Sequence, residues 1–261
     1  INSFYGYLGF AQANFNDYEL AALVTQRGRQ IMTSMLEFLA GKKCRVIELD
    51  TDGIYFQLPP DVAAPEIASE LQRALPPGIE IEFDGDYAAM FSYKSKNYAL
   101  LERDGRITLA GAALKSRALE AFQREFIFSA VSALLHGQPE KIGDLFSETK
   151  KAITDRTLPL EKFAKSEVLN DSPENYRKKL ASGAARRSAA YALALASGKK
   201  YSAGDRVAFY VTGDRKKVSV VENSRLLENA PAERDENIPY YLDKLDALYA
   251  MFLPFLKGGR P

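Results

Sequence analysis

Two aspartates separated by one residue, Asp50 and Asp52, have the types and spacing best suited to chemistry in this sequence. They stand between two β-rich runs, Arg45–Leu49 and Ile54–Leu58, which predicts a hairpin with carboxylates at its turn. Alternate side chains of an extended chain share a face, so both carboxylates can hold hard cations. Such a pair suits nucleotidyl transfer, in which two Mg²⁺ ions activate the attacking hydroxyl and neutralise the triphosphate. The alternative is an ordinary Asp-rich turn, because Asp and Gly favour turns for backbone reasons.

Periodicity predicts the elements that position these residues. A β-α-β-β arrangement with its functional groups on one face is expected up to Gly111, where we place a domain boundary, and long helices are expected after it. The predicted helices cover residues 19–39, 66–75, 112–135, 139–154, 173–195 and 239–256. Besides the hairpin, strands are predicted at 79–83, 87–101, 107–109, 206–211 and 217–221.

Composition excludes several classes of protein. The chain has 261 residues, of which 46% are hydrophobic, so it can form one large or two modest packed domains and is not disordered. Cys44 is the only cysteine and His136 the only histidine in the sequence, which excludes an internal disulfide and a zinc site of nitrogen and sulfur ligands. No apolar run is long enough to predict a membrane span, and the first residues lack the basic-then-apolar pattern of a signal peptide, so a reducing, cytoplasmic setting is expected. The chain starts without methionine, which suggests a natural start further upstream.

Charge is unevenly placed along the chain. Residues 1–111 hold 10 Lys+Arg against 15 Asp+Glu, a net charge of −5, whereas residues 112–200 hold 16 against 10, a net charge of +6. An acidic first part and a basic middle are what a metal-using site beside a polyanion-binding arm requires. Ordinary surface variation is the alternative.

Three short segments, in this order, carry a resemblance to a known family. Asn2-Ser3-Phe4-Tyr5-Gly6 resembles the end of motif B of family B DNA polymerases, Asp50-Thr51-Asp52-Gly53 resembles motif C, and Lys96-Asn97-Tyr98 resembles the later Lys-x-Tyr motif. The resemblance continues more weakly into a thumb-like region from Gly111 onward. It implies an α+β fold: a partial, antiparallel-sheet polymerase palm at residues 1–111, followed by a mainly helical, duplex-binding thumb at residues 112–261.

The resemblance also implies roles for individual residues. Asp52 is then the principal metal ligand, with Asp50 as its partner, in an enzyme that uses two Mg²⁺ ions, dNTPs and primer–template DNA in replication or repair near the nucleoid. Glu80 and Glu82 resemble an acidic pair near the metals. Contacts to the nascent base pair are implied for Asn2, Tyr5 and Gly6. Contacts to DNA are implied for Lys96 and Tyr98 at the primer end and for Lys115, Arg117, Arg177, Lys178, Lys179, Arg186 and Arg187 along the duplex.

Several of these residues also have an ordinary structural interpretation. Tyr5 and Tyr98 can be core aromatics. The two glutamates can be solubility devices on an edge strand, and the basic residues can be solvated surface charges.

The match departs from the family pattern at two places. Glu48-Leu49 stands before the aspartates, where the family commonly has an aromatic and a small residue. The aspartate of motif A and the lysine of motif B precede the first residue. We therefore expect the chain alone to be inactive and to need a missing amino-terminal part, in the same polypeptide or as a separate subunit. The alternatives are a non-catalytic primer–template binding subunit and another two-metal phosphoryl-transfer enzyme such as a cyclase, which the basic thumb disfavours.

Overall fold

The computed structural model describes residues 2–50, 53–116 and 118–256, without the side chains of Asn2 and Ser3. The helices are α1 (Asn2–Leu8), α2 (Tyr18–Gly41), α3 (Ala64–Ala74), α4 (Ala112–Lys115), α5 (Ala121–Leu135), α6 (Lys141–Thr154), α7 (Pro173–Ala181), α8 (Ala189–Ala196) and α9 (Ile238–Leu256). The strands are β1 (Arg45–Leu49), β2 (Ile54–Gln57), β3 (Tyr87–Lys94), β4 (Asn97–Glu102), β5 (Ile107–Leu109), β6 (Lys165–Val168), β7 (Arg206–Val211) and β8 (Ser224–Leu226). None of the described helices has the length and apolar character needed to cross a bilayer.

Contacts divide the chain into two compact units. The first contains the residues up to Tyr87 together with Lys94–Lys96, and the second contains Ala88–Tyr93 and the residues from Asn97 onward. The predicted palm–thumb boundary at residue 111 is a different division, defined by function, and it stays a prediction.

The first unit is built on α2, the β1–β2 hairpin and α3. Helix α2 begins where the Asp17 carboxylate accepts the amide of Leu20 at 2.8 Å, which satisfies a free donor at the helix start. A small core forms where α2 meets the hairpin and α3, around Leu39, Cys44 and Ile67. Burial raises the pKa of the Cys44 thiol, as expected for a structural cysteine.

The second unit contains the larger core and two antiparallel three-stranded sheets. One sheet has the order β3–β4–β5 and the other β6–β7–β8. Helices α5, α6 and α9 pack together, and the core around them is rich in aromatic side chains. The ring of Tyr241 lies 4.5 Å from that of Phe163 and 6.0 Å from that of Phe122, centroid to centroid. The mixed helical and antiparallel-sheet class expected from the sequence is confirmed.

The predicted strand at 79–83 is wrong. The structure has no strand there, because a side chain takes the bonds that a neighbouring strand would make. Gln72 of α3 donates its amide to the carbonyl of Ile79 at 2.7 Å and accepts the amide of Ile81 at 2.9 Å. Among the described residues the hairpin forms a two-stranded sheet, and β3–β4–β5 form another.

Two helices predicted as continuous are interrupted. Between α4 and α5, Ser116 is extended, and α5 restarts with a capping box in which Gln123 accepts the amide of Glu120 at 3.2 Å. Helix α7 ends at Ala181, and Gly183 follows its C-cap with a φ of +75°, the left-handed conformation that ends many helices. Apolar periodicity continues through both breaks, so periodicity alone did not reveal them.

The last predicted strand, at 217–221, is also wrong. The amides of Glu222 and Asn223 both donate to the carbonyl of Ser219, which makes a tight turn. The strand that pairs with β7 is Ser224–Leu226 instead. Helix α1 and strand β6 were not predicted. The predicted strand at 87–101 is two strands, β3 and β4, with a turn at residues 95–96 between them. The remaining predicted helices and strands are confirmed within one to three residues at each end.

Candidate active-site hairpin and nucleic-acid-binding residues

The β1–β2 hairpin presents acidic side chains near its turn. The amide of Asp50 donates to the carbonyl of Gly53 at 2.9 Å, which closes the hairpin as predicted. Val46 lies opposite Phe56 and Glu48 lies opposite Tyr55, so β1 contains one extra residue, as in a β-bulge. Bulges re-aim side chains, and the hairpin now directs Glu48 and Asp50, two positions apart, to one face.

Lys96 is the residue that the fold brings to this face. It lies in the turn between β3 and β4 with a φ of +62°, so it is not part of a strand face as predicted. Its ammonium is 3.1 Å from Oδ1 of Asp50, and its amide donates to Oε1 of Glu48 at 3.2 Å. The structure thus pairs two predicted site residues, Asp50 and Lys96, and adds Glu48, a second carboxylate that the sequence analysis noted but gave no role.

Asp52, the expected principal metal ligand, lies outside the described residues together with Thr51 and Arg117. Among the residues that the structure describes, no cluster of three or more His, Cys, Asp or Glu side chains is arranged to hold a metal ion. The donors near the turn are carboxylate oxygens, which are the ligands that Mg²⁺ prefers. By donor chemistry the hairpin fits a magnesium site, in which Asp50 has a competing cation in Lys96.

Glu80 and Glu82 lie in the irregular segment after α3, and both side chains are exposed. With no strand at 79–83, the alternation that was expected to place them on one face is absent. Their proposed part in metal binding therefore has no support from strand geometry.

The motif B residues lie in α1. Tyr5 is 42% exposed, which does not fit the core-aromatic alternative, and Gly6 is exposed beside it. The side chain of Asn2 lies outside the described part of the chain. Exposed aromatic side chains continue along the same region, at Phe4, Tyr7, Phe10, Phe15 and Tyr18.

Tyr98 lies in the middle strand of the β3–β4–β5 sheet. Its amide donates to the carbonyl of Ala110 at 3.3 Å, and its carbonyl accepts the amide of Ala110 at 2.8 Å. The residue is half-buried, so its ring is partly available from outside the unit.

The basic residues of the second unit differ in how they are paired. Lys115, at the end of α4, and Arg177 and Lys178, on α7, are exposed. Lys179 forms an ion pair with Asp171 at 2.7 Å; this contact raises the pKa of the lysine and lowers that of the aspartate.

The two arginines of the α7–α8 connection are also held within the unit. Arg187 is paired with Glu222 at 3.0 Å. The exposed Arg186 is anchored by its carbonyl, which accepts the hydroxyl of Tyr176 at 2.5 Å.

Sequence reasoning missed the buried carboxylates of the second unit. Glu120 is paired with Lys244, and Glu236 lies 2.7 Å from guanidinium groups of both Arg156 and Arg234. Two of these partners are distant in sequence: Lys244 is 124 residues from Glu120, and Arg156 is 80 residues from Glu236.

Comparison with known proteins places this arrangement among polymerases. A profile described as DNA polymerase family B matches residues 1–251. The chain is 29% identical over 184 residues to a DNA polymerase of Pyrococcus horikoshii, which covers 67% of the chain and 15% of that protein. It is 26% identical over 250 residues to a DNA polymerase of Methanocaldococcus jannaschii, which covers 93% of the chain and 15% of that protein.

A solved structure shares the fold. The family B DNA polymerase of Pyrobaculum calidifontis superposes with a TM-score of 0.71 at 22% identity, over all of this chain and 33% of that one. The chain therefore spans about a third or less of the length of these relatives.

Proposed function

The chain belongs to DNA polymerase family B, and from this we propose that it forms the carboxy-terminal palm and thumb of a DNA-directed DNA polymerase that adds nucleotides from dNTPs to a primer 3′ end. The match over residues 1–251 is the observation that carries the proposal. The ion pair between Asp50, near the turn of the β1–β2 hairpin, and Lys96 supports the proposal. In this proposal residues 1–111 act as the palm and residues 112–261 as the thumb, and the protein serves replication or repair at the nucleoid.

Asp50 and Asp52 are the proposed metal-binding residues. Bound Mg²⁺ would activate the primer hydroxyl and neutralise the triphosphate. Asp50 is half-buried, with a side chain 26% exposed, and the ammonium of Lys96 offsets its charge.

The remaining site residues are proposed to hold the substrates. Lys96 donates a charge-assisted hydrogen bond to the primer strand near its end, where Tyr98 adds its hydroxyl. Tyr5, whose exposed ring is available for packing, lines the pocket of the nascent base pair with Asn2 and Gly6. Sequence-independent contacts to duplex phosphates are proposed for Lys115, Arg117, Arg177, Lys178, Lys179, Arg186 and Arg187.

We propose further that the 261-residue chain by itself does not polymerise DNA. Two aspartates on one hairpin are a partial ligand set for two hard cations, which bind six or more oxygens each. The polypeptide that supplies the other ligands and the triphosphate contacts is proposed to be a further part of the polymerase. The chain matches only 15% of each of two longer relatives, which is consistent with this proposal.

Primer extension by the full-length protein tests the assignment. We expect Asp52→Asn to lower kcat by about a thousandfold, because the metal contribution is lost, while the Kd for primer–template changes little. Asp104→Asn is the matched control, since Asp104 also stands at a hairpin turn but pairs with Arg106. Duplex binding that is unaffected by Asp52→Asn, without any extension by the unaltered full-length protein, would favour the non-catalytic binding subunit. Extension by the isolated 261-residue chain would overturn the proposed inactivity.

A further inference from the structure

Glu48 is a buried carboxylate where a strand would ordinarily carry an apolar residue. It is 8% exposed, and both of its neighbours in β1, Ile47 and Leu49, are exposed. Burial of a carboxylate is unfavourable unless hydrogen-bond donors or cations satisfy it. Its position therefore depends on the groups that it holds.

One group that Glu48 holds is the backbone amide of Lys96, 48 residues away in sequence. Its Oε1 accepts the Lys96 amide at 3.2 Å, and Oδ1 of Asp50 lies 3.1 Å from the Lys96 ammonium. Two carboxylates on one face of the hairpin thus bind the two ends of the same residue. The contact with Glu48 orients the peptide group of Lys96, and the contact with Asp50 pairs its ammonium with a carboxylate.

The backbone contact decides where the Lys96 side chain can point. Lys96 has a φ of +62°, a conformation that is unfavourable for a residue with a side chain. Its side chain is 63% exposed and carries several rotatable bonds, so packing alone does not orient it. A hydrogen bond from Glu48 to the amide supports this backbone conformation and so directs the side chain towards Asp50.

We propose that Glu48 is a positioning residue that acts through Lys96: by holding the Lys96 amide, it aims the ammonium at the point where the primer strand is bound. This inference rests on the proposed function, since it assigns the primer end as the target of Lys96. The ammonium exchanges its contact with Asp50 for a contact with primer phosphate, and Glu48 keeps the backbone in place during the exchange.

A double-mutant cycle in the full-length protein tests this role. Glu48→Met removes the acceptor but keeps the side-chain length, whereas Glu48→Gln keeps an oxygen that can accept the amide. Lys96→Ala removes the ammonium but keeps the amide, and Glu48→Met combined with Lys96→Ala completes the cycle. Glu70→Gln, which changes a glutamate of the same unit paired with Lys42, is the control. The measurements are the primer–template Kd by fluorescence anisotropy, kcat and KM for extension, and the free energy of unfolding.

We expect Glu48→Met to raise the Kd and the KM for primer–template by roughly tenfold and to change kcat by less than about threefold. Glu48→Gln should keep most of the affinity of the unaltered protein, because its oxygen can still accept the Lys96 amide. In the Lys96→Ala background the same Glu48 change should alter Kd by less than about twofold, although it lowers the free energy of unfolding in both backgrounds.

Equal losses of binding in both backgrounds would overturn the inference, because Glu48 would then act on the fold alone. A shift in the Mg²⁺ dependence of kcat without a change in Kd would also overturn it, in favour of direct metal binding. Absence of both binding and extension in the unaltered protein would overturn the proposed function, and this inference with it. Binding and extension that Glu48→Met leaves unchanged would reject this inference alone.

Discussion

At the scale of single residues, Tyr241 joins three elements of the second unit. It is fully buried in α9, and its hydroxyl accepts the amide of Val211 in β7 at 2.7 Å and donates to the carbonyl of Phe163 at 3.2 Å. One hydroxyl therefore satisfies a donor and an acceptor that have no access to water. Such a group is costly to remove, because its partners stay buried without it.

We expect Tyr241→Phe to lower the free energy of unfolding by about 1–3 kcal/mol at pH 7, measured by urea denaturation. Tyr249→Phe is the matched control in the same helix, since the ring of Tyr249 stacks on Phe146 and this stacking survives the change. Equal stability of the Tyr241→Phe variant and the unaltered protein would contradict this role for the hydroxyl.

The same hydroxyl makes the free energy of unfolding depend on pH in the alkaline range. Burial raises the pKa of Tyr241 well above its ordinary value, and burial also raises that of Tyr210, whose hydroxyl donates to Asp235. Above about pH 10 the unfolded chain loses these protons while the folded protein keeps them. Stability is therefore fully present below that pH and declines as the pH rises through it. In Tyr241→Phe the decline should be shallower in denaturation curves recorded between pH 9 and 11.

At the scale of elements, the end of α7 controls how the basic α7–α8 connection leaves the helix. Gly183 has a φ of +75°, and the amide of Ala184 donates back to the carbonyl of Lys179 at 2.8 Å. This is the glycine-dependent helix ending in which a left-handed residue lets the chain turn away. The stacked rings of Tyr176 and Tyr191, 3.8 Å apart, then hold α7 against α8.

Gly183→Ala should therefore destabilise the protein by about 1 kcal/mol, because a side chain is unfavourable at positive φ. No atom lies within 4 Å of the added carbon, so the loss is a backbone effect. Gly143→Ala, inside α6, is the control and should stabilise the helix by about 0.5–1 kcal/mol. The two thermal unfolding curves should shift in opposite directions, and shifts in the same direction would argue against this account.

Patterns of sequence predicted elements well where the determinants are local. Helix α2 and the β1–β2 hairpin were predicted from apolar spacing and turn residues within the segments themselves. The segment at 79–83 has a strand-like pattern, but Gln72 occupies its backbone groups, and no pattern within the segment could reveal that. The breaks after α4 and α7 were missed because apolar periodicity runs through them.

At the scale of the whole molecule, net charge of +1 conceals a basic middle region. Four of its cations are exposed, but Lys179 and Arg187 are paired with carboxylates, whereas no ion pair joins Arg177 or Lys178 on α7 to another described residue. Exposed ion pairs contribute little to stability, but a neighbouring carboxylate reduces the attraction of a cation for phosphate. Arg177 and Lys178 are thus expected to contribute more to duplex binding than Lys179 and Arg187.

Replacing both Arg177 and Lys178 with Gln should weaken duplex binding by the full-length protein equally for all sequences. The slope of log K against log salt should become shallower by about 2, since each phosphate contact contributes roughly 0.9. Lys216→Gln is the control, because Lys216 is paired with Asp243 at 2.6 Å. An unchanged slope for the double variant would show that α7 does not contact DNA.

The sequence by itself determined most of the elements and the family motifs, including a hairpin at Asp50, because spacing along a short stretch is enough to define them. Only the tertiary structure decided that Glu48 and Asp50 hold Lys96, and that Glu120 pairs with Lys244 across 124 residues of chain. The physical reason is that a buried charge is stable only beside its counter-charge, and which distant residue supplies it depends on how the elements pack.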